Sequence, residues 1–109
     1  MQRFLSFRFL FFGVIFLSVA SFLSGCSGPE GNVADGKRWY RMHNCYACHG
    51  ENGNDGGGPD IANLDMSHRS FTHRLRNAET AVMPIFSKEK INDQDAADIL
   101  AFLKSIKTK

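Results

Sequence analysis

Cys45-Tyr46-Ala47-Cys48-His49 sets two thiols three residues apart, with an imidazole directly after the second. On one short helical turn each thiol can add across one of the two vinyl groups of a haem, and the imidazole can take the iron. This C-x-x-C-H pattern is the attachment signature of c-type haem. Other chemistries of paired thiols fit less well. A structural zinc site needs a second ligand pair, which only His68 and His73, five apart, offer. A thioredoxin-like dithiol calls for a βαβ setting, and the chain has no period-2 alternation to supply strands. A plain disulfide leaves His49 without a role.

Composition points the same way. Seven of the ten Phe residues fall in the first 25 positions, so the remainder keeps only Phe71, Phe86 and Phe102 beside Trp39, Tyr40 and Tyr46. Domains with so thin a core commonly need a metal, disulfide or cofactor to reach useful stability.

A second axial ligand should reach the iron from the other side. Met83-Pro84 lies in an irregular stretch rather than on a helix stripe, which favours it as a ligand over core filler. Met66, Met42, His68 and His73 are rivals.

Residues 1–25 read as an export signal. Arg3 and Arg8 form a positive start, Phe9 to Leu23 an uncharged apolar run, and Ser24 and Gly25 precede Cys26. Leu23-Ser24-Gly25-Cys26 resembles the bacterial lipoprotein signal. That resemblance implies cleavage before Cys26, acylation of its thiol, and a lipid anchor on the periplasmic side of an inner or outer membrane. Residues 26–33 form the expected flexible tether, and residues 34–109 the folded domain.

The elements that must position the motif are helical. Ala34 to Tyr46 reads as a first helix capped by Asp35, and Gly50 to Asn63, rich in Gly, Asn and Asp, as a loop. Ser70 is placed to cap a short helix over Phe71 to Asn77, and Ala81 to Ser87 is irregular around Pro84. Asn92 caps the last helix, where Ile99, Phe102, Leu103 and Ile106 fall at i, i+3, i+4 and i+7. The domain is expected to be all-α.

From Gly36 to about Ile106 the chain resembles a class I monohaem cytochrome c. Gly36 and Tyr40, Cys45 to Gly50, Gly58-Pro59 with Ile61 and Leu64, Met83-Pro84-Ile85-Phe86 and Phe102 carry the resemblance. It implies three to four helices around one covalent haem c, with Cys45 and Cys48 as thioether anchors and His49 and Met83 as axial ligands. It further implies that the Pro59 carbonyl accepts from the His49 ring, and that Gly36 lets the first helix cross the last near Phe102. The stretch Asn77 to Val82 lacks the Gly often found before the Met, so the path of that loop stays open.

Charge bears on partners. Without Arg3 and Arg8 the 13 basic residues fall to 11, against 11 acidic ones, which argues against nucleic acid. Arg69, Arg74, Arg76, Lys88 and Lys90 outweigh the acids around Met83, a rim suited to steering an acidic redox partner. The function expected is one-electron transfer between a donor and an acceptor protein at the membrane, without catalysis. Two alternatives stand beside it: a haem-bearing subunit of a membrane oxidase or reductase, and a five-coordinate haem enzyme or gas sensor.

Overall fold

The computed structural model describes residues 28–108; Cys26 and the expected signal segment lie outside the described residues. Four helices appear, α1 (Val33–Met42), α2 (Tyr46–His49), α3 (His68–Arg76) and α4 (Asp93–Ser105), and among the described residues there is no strand. The all-α expectation holds. No helix among the described residues is long and apolar enough to cross a membrane.

α1 starts one residue before the expected position because Asn32, not Asp35, is its cap. The Asn32 side chain accepts from the Ala34 and Asp35 amides at 2.9 and 3.0 Å. Asp35 sits in the first turn, where its charge suits the helix dipole, and pairs with Arg38 at 3.1 Å on the exposed face. At the other end the helix stops at Met42 instead of running to Tyr46. Asn44 adopts φ 57°, a left-handed conformation that Asn tolerates better than most residues, and the chain turns before resuming as α2.

α3 also begins earlier than expected. Ser67 is the cap and accepts from the Ser70 amide at 3.1 Å, so Ser70 lies inside the first turn. Phe71 and Leu75 point inward, as their spacing requires. α4 matches its expected start, with Asn92 accepting from the Asp95 amide at 2.9 Å. Its buried surface is broader than one stripe. Ala96, Ala97, Ile99, Leu100, Phe102 and Leu103 are all buried, because both α1 and α3 pack against it.

The crossing of α1 over α4 organises the core. A Cβ at Gly36 would collide with the Asp98 carbonyl and with the Phe102 side chain, so the two backbones are closer than any larger residue allows. One turn later Tyr40 lies against Phe102, ring centroids 5.3 Å apart. Asp98 is buried at the crossing, and its Oδ1 accepts from the Asn32 amide at 2.8 Å and from Gln94 Nε2 at 3.0 Å. Gln94 Nε2 also donates to the Glu30 carbonyl at 2.8 Å, and Gly31 lies against Ala97. The end of the expected tether is therefore docked along α4, and the packed domain begins near residue 30 rather than at 34.

Replacing Gly36 by Ala should force the helices apart and cost roughly 3 kcal/mol, as overpacking does in tight cores. Denaturant unfolding of the haem-loaded protein checks this; an unchanged midpoint would refute the close crossing.

Candidate haem site

The motif is delivered by the end of the α1 crossing helix. The Cys45 amide donates to the Tyr40 carbonyl at 3.1 Å, so the last turn of α1 carries directly into the first thiol. α2 then spans Tyr46–His49, with the His49 amide bonding the Cys45 carbonyl at 3.0 Å. The Tyr40 hydroxyl reaches past the motif and donates to the Gly50 carbonyl at 2.7 Å. Burial, with the nearby acidic groups adding, pushes the Tyr40 phenol well above its ordinary pKa and keeps it a neutral donor. One buried phenol thus ties the core to the residue that follows His49.

The glycine-rich loop folds back over the motif. The Gly58 amide donates to the Cys48 carbonyl at 2.6 Å, and the Ile61 amide to the Gly53 carbonyl at 2.8 Å. A Cβ at Gly58 would stand 2.8 Å from the Cys48 carbonyl oxygen and 3.3 Å from His49 Nδ1, so the loop's closeness depends on that glycine. The same loop brings the Pro59 carbonyl to 2.8 Å from His49 Nδ1. With Nδ1 donating there, the other ring nitrogen, Nε2, is the one left to meet a metal, and the ring's rotation is fixed.

Cys45 and Cys48 are both free thiols. Burial pushes the Cys45 thiol up to about 11, so it stays protonated near neutrality and is a poor attacker in disulfide exchange. Nearby, burial lowers the pKa of His43, with Lys90 adding to the effect, and its ring meets Phe86 edge-on at 6.2 Å. Ile61, Leu64, Met66 and Met83, together with Cys45, are half-buried apolar groups on the flank of the core. Two free thiols, one oriented imidazole and an apolar flank left half-covered fit an attached porphyrin in chemistry.

The rivals for the second axial position are separated by their surroundings. His68 Nε2 is 2.9 Å from the Asp93 carbonyl, and its ring lies beneath Gly28. His73 is exposed on α3 beside Asn77, and Met42 is 60% exposed. Met66 and Met83 are half-buried against the core. The zinc alternative finds no support in the geometry. Among the described residues no three His, Cys, Asp or Glu side chains are grouped to share a metal ion.

The family model for cytochrome C oxidase, cbb3-type, subunit III matches residues 31–103, from the docked strap before α1 to the last turns of α4. The chain belongs to this family. It is a c-type cytochrome domain, a haem-binding electron carrier whose haem c is held covalently. No match is found among curated proteins or among solved structures.

Several residues that shape this cytochrome site escape a reading of the sequence. Asp98 looks like a surface acid, and its burial follows only from the strap that crosses it. Gly56 and Gly58 belong to a run of three glycines, and nothing in the run says that these two touch the motif while Gly57 stands clear. The expected basic rim is also partly spent on structure. Lys88 pairs with Asp93 at 3.0 Å, Lys90 sits 5.5 Å over the Phe86 ring, and Arg76 turns inward, while Arg69 and Arg74 stay exposed.

If the two thiols carry the haem, then Cys45→Ala with Cys48→Ala should yield protein whose colour is extracted by acidified acetone. The wild-type chain should keep its colour on the polypeptide, and a double variant that also keeps it there after extraction would contradict the assignment.

Proposed function

We propose that this cytochrome is a lipid-anchored one-electron carrier on the periplasmic side of a bacterial membrane, with Cys45 and Cys48 as haem anchors and His49 and Met83 as axial ligands. The observation that carries the reading is the His49 ring, held by the Pro59 carbonyl at 2.8 Å beside two free thiols. Haem c supplies the one-electron couple, and the polypeptide supplies orientation, burial and access. Pro59 fixes the imidazole tautomer and makes it a stronger donor. A thioether from Met83 favours reduced iron and so raises the potential. With both axial positions filled, no position is left for a substrate, which separates a carrier from a gas sensor or a haem enzyme.

The lipobox-like Leu23 to Cys26 supports the anchor. Glu30 to Asn32 lie on α4, so the free span back to Cys26 is short, on the order of 15 Å at full extension. A domain held so close works on partners at the same membrane. Exposed Arg69 and Arg74 suit long-range attraction of an acidic donor or acceptor protein. A second reading, a haem-bearing subunit fixed in a membrane oxidase, is favoured by the family match itself. Co-purification with oxidase subunits after mild detergent extraction would favour the subunit; isolation of the chain alone would favour the free carrier.

Spectroscopy tests the ligands. The oxidised protein should show the weak far-red band of methionine ligation, and the reduced protein should resist CO. Met83→Leu should abolish the band and admit CO rapidly. If Met83 favours ferrous iron only tenfold, its loss lowers the midpoint potential by about 59 mV. A wild-type protein that binds CO at once would refute the carrier. The mass of the amino-terminal peptide should show acylated Cys26, and an unmodified thiol there would refute the anchor.

A further inference from the structure

Arg76, the last residue of α3, does not behave as a surface cation. Its side chain is 22% exposed, and its guanidinium divides between two main-chain carbonyls. Nη1 donates to the Phe86 carbonyl at 2.9 Å and Nη2 to the Ile91 carbonyl at 2.7 Å, with Asp93 Oδ1 3.6 Å away. One residue earlier, the Leu75 carbonyl accepts from the Phe86 amide at 2.8 Å. Residues 77–85 therefore form a loop whose two ends meet at Leu75–Arg76 and Phe86.

The loop has little to hold it from within. The Met83 amide bonds Thr80 Oγ1 at 3.4 Å, and Asn77 turns back to the His73 carbonyl at 3.1 Å. Val82 and Ile85 are 84% and 66% exposed, while Met83 between them is half-buried against the core. With so few internal bonds, the position of Met83 is set by how the ends are closed. A guanidinium suits that closure, because its planar fork serves two acceptors at once, whereas an ammonium is a single point donor.

We propose that Arg76 is a positioning residue that clamps the 77–85 loop and so presents Met83 to the haem. The proposal rests on the reading of Met83 as axial ligand. Loosening the clamp leaves α3, α4 and the thiol motif in place but lets the loop sample conformations in which Met83 is withdrawn. The ligand is then lost part of the time, and small molecules gain access in proportion.

The test uses the haem-loaded protein with Arg76→Gln and Arg76→Lys, and Lys104→Gln on α4 as an exposed control. Haem content and helical circular dichroism report folding. At wild-type haem content, Arg76→Gln should weaken the far-red band. CO binding to the reduced protein, and cleavage after Glu79 by a glutamate-specific protease, should each rise roughly tenfold, as loss of charge-assisted bonds at a loop base predicts. Arg76→Lys should fall between, Lys104→Gln should match the wild type, and if Arg76→Gln does not accumulate with haem the Arg76→Lys variant carries the comparison. A wild-type band that persists unchanged in the Arg76 variants, with unchanged CO binding and cleavage, would overturn the clamp alone. A wild-type protein without that band would overturn the Met83 assignment and the proposal with it.

Discussion

The contact of Gly36 with the Asp98 carbonyl and Phe102 is the constraint on which the rest of this domain depends. Without it α1 could not approach α4 so closely, and Tyr40 could not reach Phe102. The thiol motif starts where that helix ends, so its position is inherited from the crossing. The domain has few large side chains to spend. Tyr40, Ile91 and Leu103 are its largest fully buried ones, and close backbone approach replaces some of the burial that a bigger core would provide.

The crossing also explains why a carboxylate is tolerated inside. Asp98 accepts from a helix-cap amide and from a neighbouring amide side chain, and among the described residues no buried side-chain nitrogen or oxygen lacks a partner. A buried acid so satisfied is a fastener for the strap at residues 30–32, linking the chain's entry into the domain to its last helix. Removing the acceptor would strand the Asn32 amide, which already heads α1. Entry strap, first helix and last helix thus form one cooperative unit.

Local signals made most of this legible. The Asn92 cap, the inward pairs Phe71/Leu75 and Ile99/Phe102/Leu103, the loop from Gly50 and the irregular Met83 segment are all visible in residue type and spacing. So is the attachment motif, because its chemistry is contained in five consecutive residues. Residue type offers Asp35 and Ser70 as caps where Asn32 and Ser67 serve, and in each case two cap-competent residues stand three apart. Capping preference alone does not rank such neighbours. The break at Asn44 was missed because α-helical spacing continues across it, and only the left-handed turn separates α1 from α2. Arg76 and Asp98 were hidden for a different reason. The carbonyls that hold Arg76 lie 10 and 15 residues on, and the Asn32 amide lies 66 residues before Asp98; distant partners leave no local trace.

The two sides of the candidate site are built unequally. On the His49 side, main-chain bonds from Gly58 to Cys48 and from Ile61 to Gly53, the Tyr40 hydroxyl on Gly50 and the Pro59 carbonyl on the ring leave little freedom. On the Met83 side the chain between Asn77 and Phe86 is exposed, sparsely bonded and held from its ends. Opening free energies follow bonding and burial, so the imidazole side should be the last part of the site to loosen and the methionine side the first. If Met83 is the iron ligand, as proposed, it sits on the looser side, and potential and access become two readings of one equilibrium, the closing of that loop. A carrier needs the closed state to dominate through both oxidation states. That requirement puts the functional pressure on the loop's base, where the fold has placed its inward-turned arginine.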